Sequence, residues 1–165
     1  MSSTQINPVC NLLYCRPGFE KEAASEIMQI TQAYDINGYI KAKADSGYVG
    51  FYPTSPTSLN EFNQSIQFSN LIFARQSIFV SEIINNLPPT DRITPLLASI
   101  QLLELDFSQL LLETPDTNDG KEMSSFCKKF STPLTIALEK KHLINKKAHG
   151  VCTYFFWTLP TYTLA

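Results

Sequence analysis

Charge along this chain is uneven. Residues 121–147 carry Lys121, Lys128, Lys129, Lys140, Lys141, Lys146 and Lys147 against Glu122 and Glu139 alone, a local balance of +5. Residues 1–120 hold 6 basic and 13 acidic side chains, a balance of −7. A cationic stretch in an otherwise acidic chain suits a polyanion, most often phosphate, although a merely solvated lysine face gives the same pattern. At about 100° per residue, Lys121, Lys128, Lys129 and Lys140 fall opposite the apolar stripe Met123, Phe126 and Phe130, so one cationic surface is geometrically allowed. Residues 118–121 open this helix, where free amides and the dipole favour an anion, while Asp116 and Asp119 oppose one. Arg16, Arg75 and Arg92 stand at expected element ends, where guanidinium forks reach phosphates or pair with a nearby carboxylate.

Catalytic chemistry finds less support. His142 and His149 are the two histidines, seven apart, with no carboxylate spaced for a triad or a metal site, which leaves packing or surface roles. Cys15 beside Arg16 is a candidate for a lowered thiol pKa, but no neighbour has the character of its base, and a small core residue at a strand end fits as well. Six glycines provide no dinucleotide or phosphate-loop spacing. Phe19, Phe62, Phe126 and Phe130 occupy apolar stripes and are expected in the core rather than stacked on bases.

The elements that hold these residues are readable. The 165 residues suffice for one domain or two small ones, and 44% hydrophobic against 17% charged residues excludes the composition of a disordered chain. No run nears the ~18 apolar residues of a membrane helix, and the first residues lack a secretory pattern, so a cytoplasmic protein with four reduced cysteines is expected. A strand over 11–16 stops at Pro17-Gly18. Phe19, Ala23, Ile27, Ile30 and Tyr34 then recur at helical spacing, with Glu20, Glu22, Glu26 and Gln29 on the polar side. Strands over 39–44 and 47–52 follow, joined by Asp45-Ser46. Ser58 and Glu61 have capping-box spacing ahead of a helix through Leu59, Phe62 and Ile66, and 71–84 reads as a long buried strand. The order β-α-β-β-α-β is that of ferredoxin-like domains.

Leu87-Pro-Pro89 is the expected joint between domains at 1–86 and 87–165. Beyond it, Thr94 and Pro95 read as a cap and first helical residue, and 109–113 has the composition of a buried strand. The helix of the lysines is expected to break at Ser131-Thr-Pro133 and restart through Leu134, Ala137 and Leu138.

These residues match a known family block by block. Cys15-Arg-Pro-Gly-Phe-Glu-Lys-Glu22, Gly47-Tyr-Val49 and Leu71-Ile-Phe-Ala-Arg-Gln76 resemble the first domain of the ribosomal RNA large subunit methyltransferase M family, the bacterial 23S rRNA cytidine 2'-O-ribose methyltransferases. Leu87-Pro-Pro89, Asp91-Arg-Ile-Thr-Pro95, Asp116-Thr-Asn118, Lys121-Glu122, Phe126-Cys-Lys-Lys-Phe130, Pro133-Leu134 and Ala137-Leu138 resemble its second. The resemblance implies an α+β protein: a ferredoxin-like domain followed by a THUMP-like α/β RNA-binding domain. In the family a further domain binds S-adenosyl-L-methionine and methylates a ribose 2'-hydroxyl. Its glycine-rich loop and catalytic residues have no counterpart in this chain, so neither a catalytic residue nor a cofactor is expected here.

The resulting expectation is the RNA-recognition half of a methyltransferase, binding 23S rRNA but not DNA or membrane, as a monomer. Its contacts would be Lys121, Lys128, Lys129 and Lys140 with Arg16, Arg75 and Arg92. A stand-alone THUMP-type adaptor and a protein-interaction module are the alternatives. After Gly150 the likeness to the family weakens, and a one-base displacement of the reading frame would restore it. Residues 151–165 are therefore expected to be an aberrant tail, with the last strand damaged, Tyr154-Phe-Phe-Trp157 still able to pair, and 159–165 exposed.

Overall fold

The computed structural model describes residues 9–81, 83–104 and 106–156. These fall into two compact units that divide between Ile83 and Ile84.

The first unit runs β1 (Cys10–Cys15), α1 (Glu20–Ala33), β2 (Gly38–Ala42), β3 (Tyr48–Pro53), α2 (Pro56–Ser65), a 3-10 turn at Phe68–Asn70, and β4 (Ala74–Val80). Its four strands are ordered β2-β3-β1-β4, every neighbouring pair antiparallel, which is the ferredoxin-like arrangement. Side chains alternate across a strand, so Leu13, Cys15, Val49 and Phe51 meet Ala23 and Ile27 of α1 and Leu59 and Phe62 of α2 in one core. Phe51 and Phe62 stack with centroids 4.6 Å apart.

Three local expectations are corrected here. The long buried strand over 71–84 is a seven-residue edge strand in which Ala74 alone is buried. The amides of Ile72 and Phe73 go instead to the Glu26 carboxylate, at 2.6 and 3.1 Å, which keeps those residues outside the ladder. The cap of α2 is Ser55, whose extended backbone and Oγ, accepting from the Ser58 amide at 3.2 Å, leave Ser58 buried inside the helix. On α1 the first turn is rotated relative to the expected stripe. Phe19 is 39% exposed while Glu20 is buried, because the Glu20 carboxylate accepts from the backbone amides of Gly18 and Gly47.

The second unit contains α3 (Ile93–Leu103), β5 (Gln109–Glu113), α4 (Asn118–Lys140) and β6 (Val151–Phe155). β5 and β6 pair in parallel from Gln109↔Val151 to Glu113↔Phe155. Met123, Cys127, Leu134 and Leu138 of α4 close over Leu96 and Ile100 of α3 with Phe107 and Phe156. The Tyr154 hydroxyl donates to the Leu96 carbonyl at 2.6 Å, fastening β6 to α3.

Here too the structure departs from expectation. The amides of Ile93 and Thr94 donate to Asp91 Oδ1 at 3.1 and 3.0 Å, so Asp91, not Thr94, caps a helix that begins at Ile93. β5 is half-buried rather than buried, since its sheet has two strands among the described residues. α4 does not break at Pro133. The missing N–H forfeits one bond to the Lys129 carbonyl, but Leu134 and Leu138, both fully buried, hold the helix on the core through this point. β6 forms across the segment expected to be damaged, Tyr154 and Phe155 pair within it, and Phe156 is buried. Residues 157–165 lie outside the described residues.

Candidate nucleic-acid interface

The sequence of α4 decides where its lysines point. Thr117 caps the helix, its Oγ1 accepting from the Gly120 amide at 3.0 Å. Gly120 is buried because the first turn passes directly beneath the Pro115 carbonyl, in a space that a Cβ atom cannot share. With one amide given to Thr117 and Asp119 in the first turn, this terminus is an ordinary capped start rather than an open anion cradle. Once Met123, Cys127, Leu134 and Leu138 are turned inward, the helical period places Lys121, Lys128, Lys129 and Lys140 outward, and all four are exposed.

They form two groups. Lys128 and Lys129 adjoin Lys121 two turns before them, and Lys140 stands about 17 Å further along the axis. Glu122, Glu139 and the exposed Ile136 share this side, so the face is cationic but not purely so. Lys141, Lys146 and Lys147 follow on the exposed chain that leads to β6.

The three arginines are not all alike. Arg16 is exposed just past β1, with its guanidinium 5.8 Å from the Phe19 ring centroid, and Phe19 stacks on Phe73 at 6.0 Å. Arg75 stands on β4 where the register slips between Tyr14↔Gln76 and Cys15↔Ala74, so a bulge carries it beside the end of β1 that Arg16 follows. Arg92 belongs to the second unit. It is half-buried at the start of α3, with its guanidinium 5.5 Å from the Phe126 ring of α4, and its Nε is buried without a hydrogen-bond partner among the described residues.

The candidate thiol is corrected. Burial pushes Cys15 up to about 11, the Glu20 carboxylate adds to this, and Arg75 offsets it only in part. A thiol held protonated in this way is no nucleophile at neutral pH. His142 and His149 are exposed, and among the described residues no cluster of His, Cys, Asp or Glu is suited to a metal ion. Among those residues, too, no helix is long and apolar enough to cross a membrane.

One group escaped the sequence reading. Tyr39 and Tyr52 are direct cross-strand partners on β2 and β3, and their rings stack with centroids 5.2 Å apart and planes 8° from parallel. The Lys41 ammonium lies 4.7 Å from the Tyr52 centroid and 5.6 Å from that of Tyr39. The available signal was alternation: Tyr39 and Lys41, like Tyr48, Gly50 and Tyr52, are two residues apart and so share a strand face.

An antiparallel ferredoxin-like domain, followed by an α/β unit that carries a lysine-faced helix, defines a two-part α+β protein. Comparison with known proteins makes this specific. Residues 9–78 match the RlmM ferredoxin-like domain, and residues 91–157 match the domain described as ribosomal RNA large subunit methyltransferase M, N-terminal. The chain belongs to the ribosomal RNA large subunit methyltransferase M family. It is 42% identical over 148 residues to the family's protein from Haemophilus influenzae (strain PittGG), covering 87% of this chain and 41% of that one. The Methylococcus capsulatus protein is 47% identical over 131 residues, 79% of this chain and 37% of the relative. The chain thus spans about two fifths of the length of the curated relatives it matches.

Proposed function

We propose that this chain recognises ribosomal RNA of the large subunit on behalf of a methyl transfer. The exposed lysine side of α4 carries the reading. Three ammonium groups together and a fourth further along the same helix match the spaced negative charges of an RNA backbone, and such contacts orient a substrate without reading its sequence. The second unit thereby acts as a THUMP-like RNA-binding domain, with Arg92 extending its cationic side from the start of α3, while Arg16 and Arg75 offer a further pair on the first unit. The substrate is 23S rRNA. Binding of S-adenosyl-L-methionine and transfer to a ribose 2'-hydroxyl are assigned to the part of the relatives that this chain does not cover. The contribution of this chain is orientation, which raises the effective concentration of the target at a reacting centre.

The test is to replace Lys121, Lys128, Lys129 and Lys140 together with glutamate and to measure binding of the full chain to 23S rRNA segments at low salt. Binding should be abolished. For the unaltered chain, the logarithm of affinity should fall against the logarithm of salt with a slope of about −3 or steeper, as four or more phosphate contacts require. Unchanged affinity in the variant, or equal binding of the unaltered chain to an acidic polypeptide, overturns the reading.

A further inference from the structure

We propose that Tyr39, Tyr52 and Lys41 form a stacking site for one unpaired nucleobase on the first unit, separate from the lysine side of α4. The inference rests on the reading of the chain as an RNA-binding protein and names a contact which that reading does not contain.

The site is built by the register of β2 and β3. Tyr39 lies opposite Tyr52, and Lys41 opposite Gly50, so all four belong to the sheet face turned away from α1 and α2. Gly50 is what the arrangement needs. The Tyr52 ring leans across it, and a Cβ atom at that position would come within 2.9 Å of Tyr52 Cε2. The two rings then meet almost parallel, one face of each turned to the other, and Tyr39 remains 52% exposed. The outer face of Tyr39, backed by the Tyr52 ring, suits a nucleobase, since every base has a π-face and stacking does not depend on sequence.

Charge selects among flat ligands. Lys41 adjoins both rings and Lys43 follows just past the end of β2, both exposed, so this stretch offers ammonium groups to the phosphates on either side of a stacked base. A base-paired RNA has no free π-face to present, so the occupant is a single-stranded segment, loop or bulge.

The test compares three probes on the full chain: a single-stranded RNA decamer, the same decamer in a perfect duplex, and an abasic decamer with identical phosphates. Tyr39→Ala should weaken binding of the single strand about tenfold, leave the duplex and the abasic strand unchanged, and be rescued by Tyr39→Phe. Lys41→Gln should weaken both single strands, since it removes only charge. Loss of affinity for all three probes in Tyr39→Ala, or for none, overturns the site. The glutamate variant of α4 separates this from the broader reading: if it loses RNA while Tyr39→Ala does not, the platform falls and the lysine face stands.

Discussion

The Glu20 carboxylate accepts a hydrogen bond from the Gly47 amide at 2.8 Å, in a buried setting and across 27 residues of chain. It also accepts from the Gly18 amide, so one side chain ties the start of α1 to both the turn after β1 and the turn before β3. Burial pushes its pKa up, but the backbone donors of Gly47, Glu20 itself, Gly18 and Asp45 outweigh this and hold it below the ordinary carboxylate value. Glu20→Ala should cost about 1–3 kcal/mol at neutral pH, because buried amides lose their acceptor. A group whose folded pKa is depressed stabilises above its unfolded value, and that stability is lost as pH falls through the folded one. The gap between wild-type and variant urea midpoints should therefore be full at pH 7 and shrink well below pH 4.5. A gap that widens on acidification would contradict this account.

Gly120 should resist even the smallest change. Its missing Cβ is where the Pro115 carbonyl sits, and both neighbours are backbone that cannot rotate away. Gly120→Ala must shift the first turn of α4, at a cost of about 2 kcal/mol or more. Chemical denaturation followed by circular dichroism reads this directly, and a variant as stable as the parent would show that the approach is looser than described.

Pro133 gives the opposite sign. It is exposed, so its ring contributes little packing, yet it denies the Lys129 carbonyl a partner in the interior of a 23-residue helix. The Thr135 hydroxyl, donating to the Ser131 carbonyl at 2.8 Å, does not repair that loss. Pro133→Ala should stabilise the second unit by about 1–3 kcal/mol and raise its thermal midpoint by several degrees. A lower midpoint would mean that the proline is matched to a bend the helix requires.

The cysteines should be slow to react. Burial raises Cys10, Cys15 and Cys152 to about 11 and pushes Cys127 up as well, and all four are free thiols. At pH 8 a thiol with pKa near 11 is ionised about one part in a thousand. Labelling with a disulfide reagent should thus be slow in the native protein and complete for four thiols after unfolding. A fast phase at pH 8 in the folded protein would place one thiolate in a cationic setting instead.

The chain by itself determined the order of elements and the lysine side of α4. Both depend on periodicity: alternation marked the strands of the first unit, and the stripe of Met123, Phe126, Phe130, Leu134 and Leu138 marked which side of a helix faces water, although the structure buries Cys127 there and leaves Phe126 and Phe130 half-buried. What only the tertiary structure decided were the partners. Glu20 has the composition of a surface residue, and nothing local shows that Gly47 will be brought against it. Pro133 reads as a helix breaker until the burial of Leu134 and Leu138 outweighs one lost hydrogen bond. Tyr39 and Tyr52 become a stacked pair through the pairing of β2 with β3, and Arg75 is turned beside the end of β1 by a bulge that no propensity announces. The physical reason is the same in each case. Local pattern records what a residue prefers along its own backbone, whereas a contact between distant segments depends on which competing preferences the packed core has already overruled.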